Sequence, residues 1–122
     1  MTMARLRDER GMVTAETAVV LPVLLLVLAG AVAAVTVVGA QMRCVDAARE
    51  AARAAARGEP VDVVHAIAAR TAPSGAGAVI TEAADDVRVT VTARIAPLGP
   101  LPLRIRVHAT AVAQREPGTV PP

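Results

Sequence analysis

The hydrophobic pattern divides the chain into two unlike halves. From Thr17 to Ala40 there is no charged residue, and the run TAVVLPVLLLVLAGAVAAVTVVGA is apolar on every side. At about 1.5 Å rise per helical residue, roughly 20 residues cross a hydrocarbon layer of about 30 Å, so this run is long enough to span a membrane. A cleavable secretory signal is the alternative, but its apolar part is about 7–15 residues and ends at a small-residue cleavage site. Here the helical pattern instead carries on through QMRCVDAAREAARAAAR, Gln41 to Arg57, where almost every residue is a strong helix former. Gly58-Glu59-Pro60 supplies the stop. Residues 12–57 are therefore expected to form one helix of about 69 Å, with a span at 17–40 and a stalk at 41–57.

Within the stalk, Arg43, Asp46, Arg49, Glu50, Arg53 and Arg57 fall in an arc of roughly 120°. Asp46–Arg49 and Glu50–Arg53 have the i,i+3 spacing of helical ion pairs. Cys44, Ala48, Ala51, Ala52 and Ala55 line the opposite face, which is small and smooth. Pro22 removes the hydrogen bond to the carbonyl of Ala18 and predicts a kink inside the span. Gly30 and Gly39 allow close helix approach but form no distinct small-residue motif against the alanine background.

After Pro60 the period changes. Val61 to Thr71 reads as a short amphipathic helix, with Val64, Ile67 and Ala68 on one side. Pro73 to Gly77 is a loop, and Ala78 to Ala83 a short strand. Val87 to Ile95 alternates strictly, with Val87, Val89, Val91, Ala93 and Ile95 on one face. Leu103 to Ala111 alternates in the same way, with Leu103, Ile105, Val107, Ala109 and Ala111 inward. A rigid turn, Pro97 to Pro102, joins these two, so they pair antiparallel with the short strand at an edge. The apolar face of such a sheet needs a cover, and the alanine face of the long helix is available. The predicted fold class is α+β: a long membrane-spanning helix whose stalk packs on a small antiparallel sheet. The small α+β domain is assigned to 58–113 and a flexible tail to 114–122.

Composition sharpens this picture at a few points. The chain has 122 residues, with no Phe, Tyr or Trp, and all of its thirteen basic residues are Arg. A core without aromatics must be thin. The net charge of +2, without a basic patch interleaved with aromatics, speaks against nucleic acid as a partner. Cys44 is the single cysteine, best read as a small buried hydrophobe, with an intermolecular disulfide as the alternative. His65 and His108 have no carboxylate or cysteine at ligand spacing. No nucleophile–base pattern and no glycine-rich phosphate loop is present, so the sequence supports neither an enzyme nor a cofactor, a metal or a small-molecule ligand.

The junction before the span is the unusual feature. Arg10-Gly11-Met12-Val13-Thr14-Ala15-Glu16 places a carboxylate at the edge of the apolar run, five residues beyond a glycine. An ionised carboxylate near the bilayer interior costs several kcal/mol unless paired or protonated. One reading leaves Glu16 in the headgroup zone as a helix-start acid, with Thr14 placed to act as a local cap. The other follows from a cut after Gly11. The cut creates an α-amine on Met12, one turn from Glu16, and the amine of one subunit can neutralise the carboxylate of a neighbour. Charges flank both ends of the span, Arg5, Arg7 and Arg10 on one side and Arg43 on the other, so charge counting leaves the topology open.

A polar leader, a glycine, a glutamate and then an apolar helix is the pattern of class III signal peptides in type IV pilin-like proteins. Arg10-Gly11, Glu16, Leu21-Pro22 and Asp46-Ala-Ala-Arg-Glu-Ala-Ala-Arg53, in that order, resemble the TadE-like family of minor pilins and pseudopilins of the Flp-type tight-adherence system, in an actinobacterial form. Thr17 stands where many members have Phe. The resemblance implies a pilin-like fold, a leader at 1–11, and cleavage between Gly11 and Met12 by a membrane prepilin peptidase, with possible N-methylation of Met12. It also implies that Glu16 acts in assembly, that other pilin subunits and the Tad machinery are the partners, and that the N-terminus is cytoplasmic and the C-terminal domain extracytoplasmic. An unprocessed, single-pass accessory or binding protein is the alternative.

Overall fold

The structure is a computed structural model that describes the backbone from Thr2 to Gly118 and the side chains from Glu9 onward. Met1, the side chains of the predicted leader before Glu9, and tail residues 119–122 lie outside the described residues. The order is a helix α1 (Thr2–Ala56), a helix α2 (Val61–Thr71) and strands β1 (Gly77–Glu82), β2 (Asp86–Ile95) and β3 (Ile105–Gln114). The strands form one antiparallel sheet in the order β1-β2-β3. A long apolar helix against a three-stranded antiparallel sheet is the α+β arrangement expected from the alternation of periods.

α1 runs for 55 residues without a break, so the helix starts well before Met12 and passes through Gly11 and Pro22. Thr14 is therefore not a cap. Its Oγ1 donates to the Arg10 carbonyl at 2.9 Å, one turn back, as a hydroxyl inside a helix does. Thr17 and Thr36 do the same to Val13 and Val32. The far end of α1 closes in a left-handed cap. Gly58 has φ +81°, its amide donates to Ala55, and the Glu59 amide reaches Ala54. These paired bonds satisfy carbonyls that the last turn leaves orphaned, and glycine takes the positive φ without strain.

The core is alanine against valine. Val87, Val89, Val91 and Ala93 of β2 face inward beside Val107 and Ala109 of β3, all buried. Strand register pairs Val91 with Ala109 and Ala93 with Val107, so like faces meet. The opposing surface of α1 is wider than the charge pattern suggests. Ala40, Cys44, Ala47, Ala48, Ala51, Ala52, Ala54, Ala55 and Ala56 are all buried, an arc of roughly 200° at 100° per residue. Two partners divide that arc. The sheet takes the side of Gln41, Ala48 and Ala52. α2 takes the side of Ala47 and Ala54, buries Val64 and Ala68 there, and is tied by the Thr71 hydroxyl, which donates to Glu50 at 2.9 Å. Glu50 thus serves α2, where the i,i+3 spacing had suggested Arg53.

β3 runs alongside α1 in the same direction. The Gln41 side-chain amide donates to the His108 carbonyl at 2.7 Å, and the Glu116 amide donates to the Ala56 carbonyl at 3.2 Å. Arg115 and Glu116, assigned by the sequence to a tail, are thereby held to the domain. The Arg115 amide also donates to Asp85 at 2.9 Å, and its guanidinium lies 3.6 Å from Glu82. Those bonds need both helix and sheet in place, which no local pattern announces.

Cys44 is 0% exposed, which favours the buried-hydrophobe reading over an intermolecular disulfide. Burial pushes its thiol pKa up, and the Arg43 guanidinium opposes this more weakly. In the unfolded chain a thiol ionises near pH 8.5. The folded state keeps a proton that the unfolded state loses above that point. The stability linked to Cys44 is therefore full below about pH 8.5 and falls as pH rises towards the folded pKa. The chain has no Lys and no Tyr, so denaturant unfolding between about pH 7 and about pH 10 reads this thiol with little interference. The slope should vanish in Cys44→Ala. Separately, Ala51→Leu overfills the helix–sheet contact and should cost about 1–3 kcal/mol, seen as faster alkylation of Cys44 under mild denaturant.

Candidate functional site: the junction at Gly11 and the exposed helix

α1 is long and apolar enough to cross a membrane, and none of its most apolar stretch is buried within the fold. Val19, Leu21, Leu24, Leu26, Leu28 and Val35 are exposed. A bare leucine–valine surface of this extent requires lipid or another protein around it. Cover begins only at Ala29, Ala33 and Val37, which are half-buried at one-turn spacing, and is complete at Ala40.

The junction lies at the other end of that surface. Gly11 is helical, and a Cβ added to it would meet nothing within 4 Å. Met12 is 71% exposed, and Glu16, one turn on, is exposed on the same side. In a helix, side chains lean towards the N-terminus, so Glu16 leans back towards Met12. Arg10 is bridged to the same turn through Thr14. Pro22 lies six residues beyond Glu16, about one and two-thirds turns further along. The structure brings Gly11, Met12 and Glu16 onto one turn-sized patch with no protein cover.

The other candidate residues do not converge. His65 is exposed on α2, and His108 is exposed on the outward face of β3, with only its backbone carbonyl engaged. Among the described residues, no group of three or more His, Cys, Asp or Glu is placed to hold a metal ion. A cleft of about 270 Å³ between α2 and β1 is lined mainly by Ala68, Ala69, Ala72, Ala76 and Ala78, with His65 at its edge. That lining offers shape and no paired acid and base. The six charged side chains of the stalk arc are exposed. Gln41 is the residue that sequence reasoning passed over. It is the first polar side chain after the apolar run, and its partner lies 67 positions away.

Residues 11–53, about a third of the chain, match the family described as TadE-like protein. The match begins at Gly11 and ends within the stalk. Over 60 residues the chain is 52% identical to apoptosis inhibitor Rv3655c of Mycobacterium tuberculosis (strain ATCC 25618 / H37Rv). That alignment covers 47% of this chain and 48% of the relative, so the similarity spans about half the length of each. No solved structure matches the chain.

Proposed function

We propose that this chain, TadE-like over residues 11–53, is a minor pilin or pseudopilin, a structural component of a Flp/Tad-type pilus or related secretion system. The observation that carries the reading is where the TadE-like segment starts. It begins at Gly11, immediately before the Met12–Glu16 turn, and takes in the whole exposed apolar surface. A prepilin peptidase on the cytoplasmic side cuts between Gly11 and Met12. The cut changes the electrostatics of Glu16. In the uncut helix Glu16 is an interior residue of a long rod. After the cut it stands one turn from a helix N-terminus, where both the macrodipole and a free amine favour a carboxylate. Contact between the Met12 amine of one subunit and Glu16 of a neighbour then makes the charge a register device. A misaligned helix leaves a carboxylate unpaired among apolar side chains, at a cost of several kcal/mol.

In this reading α1 anchors the subunit in the membrane until assembly, with the N-terminus cytoplasmic and the sheet domain outside. Pro22 supplies a bend in the span, and the partners are the peptidase, other pilin subunits and the Tad machinery. The protein's work is packing and not chemistry.

One observation favours a second reading. α1 continues through Gly11 and Met12 without interruption, and a peptidase needs that turn opened. A chain whose junction stays helical would remain an unprocessed single-pass accessory protein.

Two variants separate the readings. Gly11→Leu meets open space, so it should fold and insert normally. In cells with a working prepilin peptidase it should stay at precursor size on a gel while the parent shortens. Equal shortening of both would end the cleavage reading. Glu16→Ala should still be shortened, yet be depleted several-fold from sheared or cross-linked surface assemblies. Incorporation at the parent level would contradict amine–carboxylate pairing.

A further inference from the structure

The turn between β2 and β3 reads Ala96-Pro-Leu-Gly-Pro-Leu-Pro-Leu103 and carries no charge. Leu101 and Leu103 are 55% and 47% exposed, and Leu98 is half-buried. Arginines frame the turn: Arg94 before it, Arg104 and Arg106 after it, all exposed. Arg94 and Arg106 are register partners on the sheet face that points away from α1. Like charges directly opposite one another repel, and the register gives neither arginine an acid as its partner. A leucine-rich tip crowned by a like-charged pair is a costly way to end a hairpin in water.

The level of the turn along α1 accounts for both features. β3 and α1 run side by side, fixed by the bonds from Gln41 to His108 and from Glu116 to Ala56. At about 3.3 Å per strand residue, Arg106 lies about 7 Å, and Arg104 about 13 Å, before His108. At about 1.5 Å per helical residue, those levels fall near Val37 and Val32 of α1. Ala33 and Val37 are half-buried, and Val37 packs against the core. The turn therefore lies beside the upper part of the apolar run. Counting down from Val37, about 30 Å of helix ends at Glu16, which is one hydrocarbon thickness. Arg106 and Glu16 are thus spaced as the two edges of a bilayer would be.

We propose that the turn Ala96–Leu103 is a membrane-interface anchor. Leu98, Leu101 and Leu103 sit among the lipid chains beside α1, and Arg94, Arg104 and Arg106 hold lipid phosphates. A phosphate between Arg94 and Arg106 relieves their repulsion, and the long side chain of Arg104 reaches up from its deeper level. The occupant is lipid because the turn is level with helix surface that, read as a span, lies in lipid, and because arginines at that height match anionic headgroups. The membrane exit moves from Ala40 to near Thr36 on the side of α1 that faces the sheet, where Val37 is half-buried and Ala40 buried. This inference rests on α1 being a span. It does not depend on cleavage at Gly11 or on entry into a pilus.

The chain has no Trp, Tyr or Phe, so one introduced tryptophan is a unique reporter. Full-length Leu101→Trp, Leu26→Trp and Val79→Trp are reconstituted separately at high lipid-to-protein ratio. The vesicles contain phosphatidylcholine and phosphatidylglycerol, with quenchers at shallow or deep positions on the acyl chains. Leu26→Trp should be quenched by the deep label. Leu101→Trp should emit blue-shifted light and be quenched by the shallow label, several-fold more than Val79→Trp. A Leu101→Trp signal like that of Val79→Trp, with Leu26→Trp still quenched, would overturn the anchor and leave the span intact. An unquenched Leu26→Trp would remove the span reading and the anchor with it. A blue-shifted but unquenched Leu101→Trp would mean a protein partner, such as a second copy, in place of lipid. Adding Arg94→Gln and Arg106→Gln to Leu101→Trp should abolish the gain in shallow quenching that phosphatidylglycerol brings. An unchanged gain would overturn the phosphate contact.

Discussion

The contact between the alanine face of α1 and the inward valines of β2 and β3 is what the rest of the structure depends on. With alanine and valine as the core side chains, apolar area is buried by bringing backbones close together. Alanine on the helix and valine on the strands allow that approach, and each buried position is small enough that both partners remain regular. The contact makes α1 and the sheet one unit, so the sheet domain cannot move along the rod. It also fixes the height of every strand residue relative to the apolar run. The Gln41–His108 bond sits where α1 begins to be buried by the sheet.

That fixed geometry connects the two ends of the span. Glu16 and the register pair Arg94–Arg106 are about 30 Å apart along the helix, the spacing that the two edges of a bilayer would have. On the proposed function, a subunit held in this way is stored and not merely inserted. Its acid is at one edge and its leucine turn is at the other. Leaving the membrane must release both, and assembly must replace both sets of contacts. On the proposed function, cleavage would supply the amine that Glu16 lacks, and neighbouring helices would cover the leucines and valines.

Much of the fold was legible in residue order. Strict alternation in Val87–Ile95 leaves one apolar face whatever the tertiary context, so β2 and its inward valines could be read directly. The charge-free run after Glu16 shows by its length alone that the helix is long and apolar enough to cross a membrane. The wider buried arc of α1 was not legible, because alanine carries no sign of whether it is covered. Ala47 and Ala54 look the same as exposed alanines until α2 is known to fold back onto them. Arg115 and Glu116 look like tail because their partners, Asp85, Glu82 and Ala56, belong to three other places in the chain. The depth of the Pro97–Pro102 turn was hidden for the same reason. It depends on the offset between a strand and a helix, and that offset is set by one bond across 67 residues.

The central claim is that the turn at Gly11–Glu16 is a processing junction whose glutamate acts once an amine is created beside it. The intact mass of the protein extracted from membranes of its native cells tests this most directly. The account predicts a chain beginning at Met12, either free or carrying one methyl group on its new amine. A mature population that retains residues 1–11, in cells whose prepilin peptidase is active on other substrates, would contradict it.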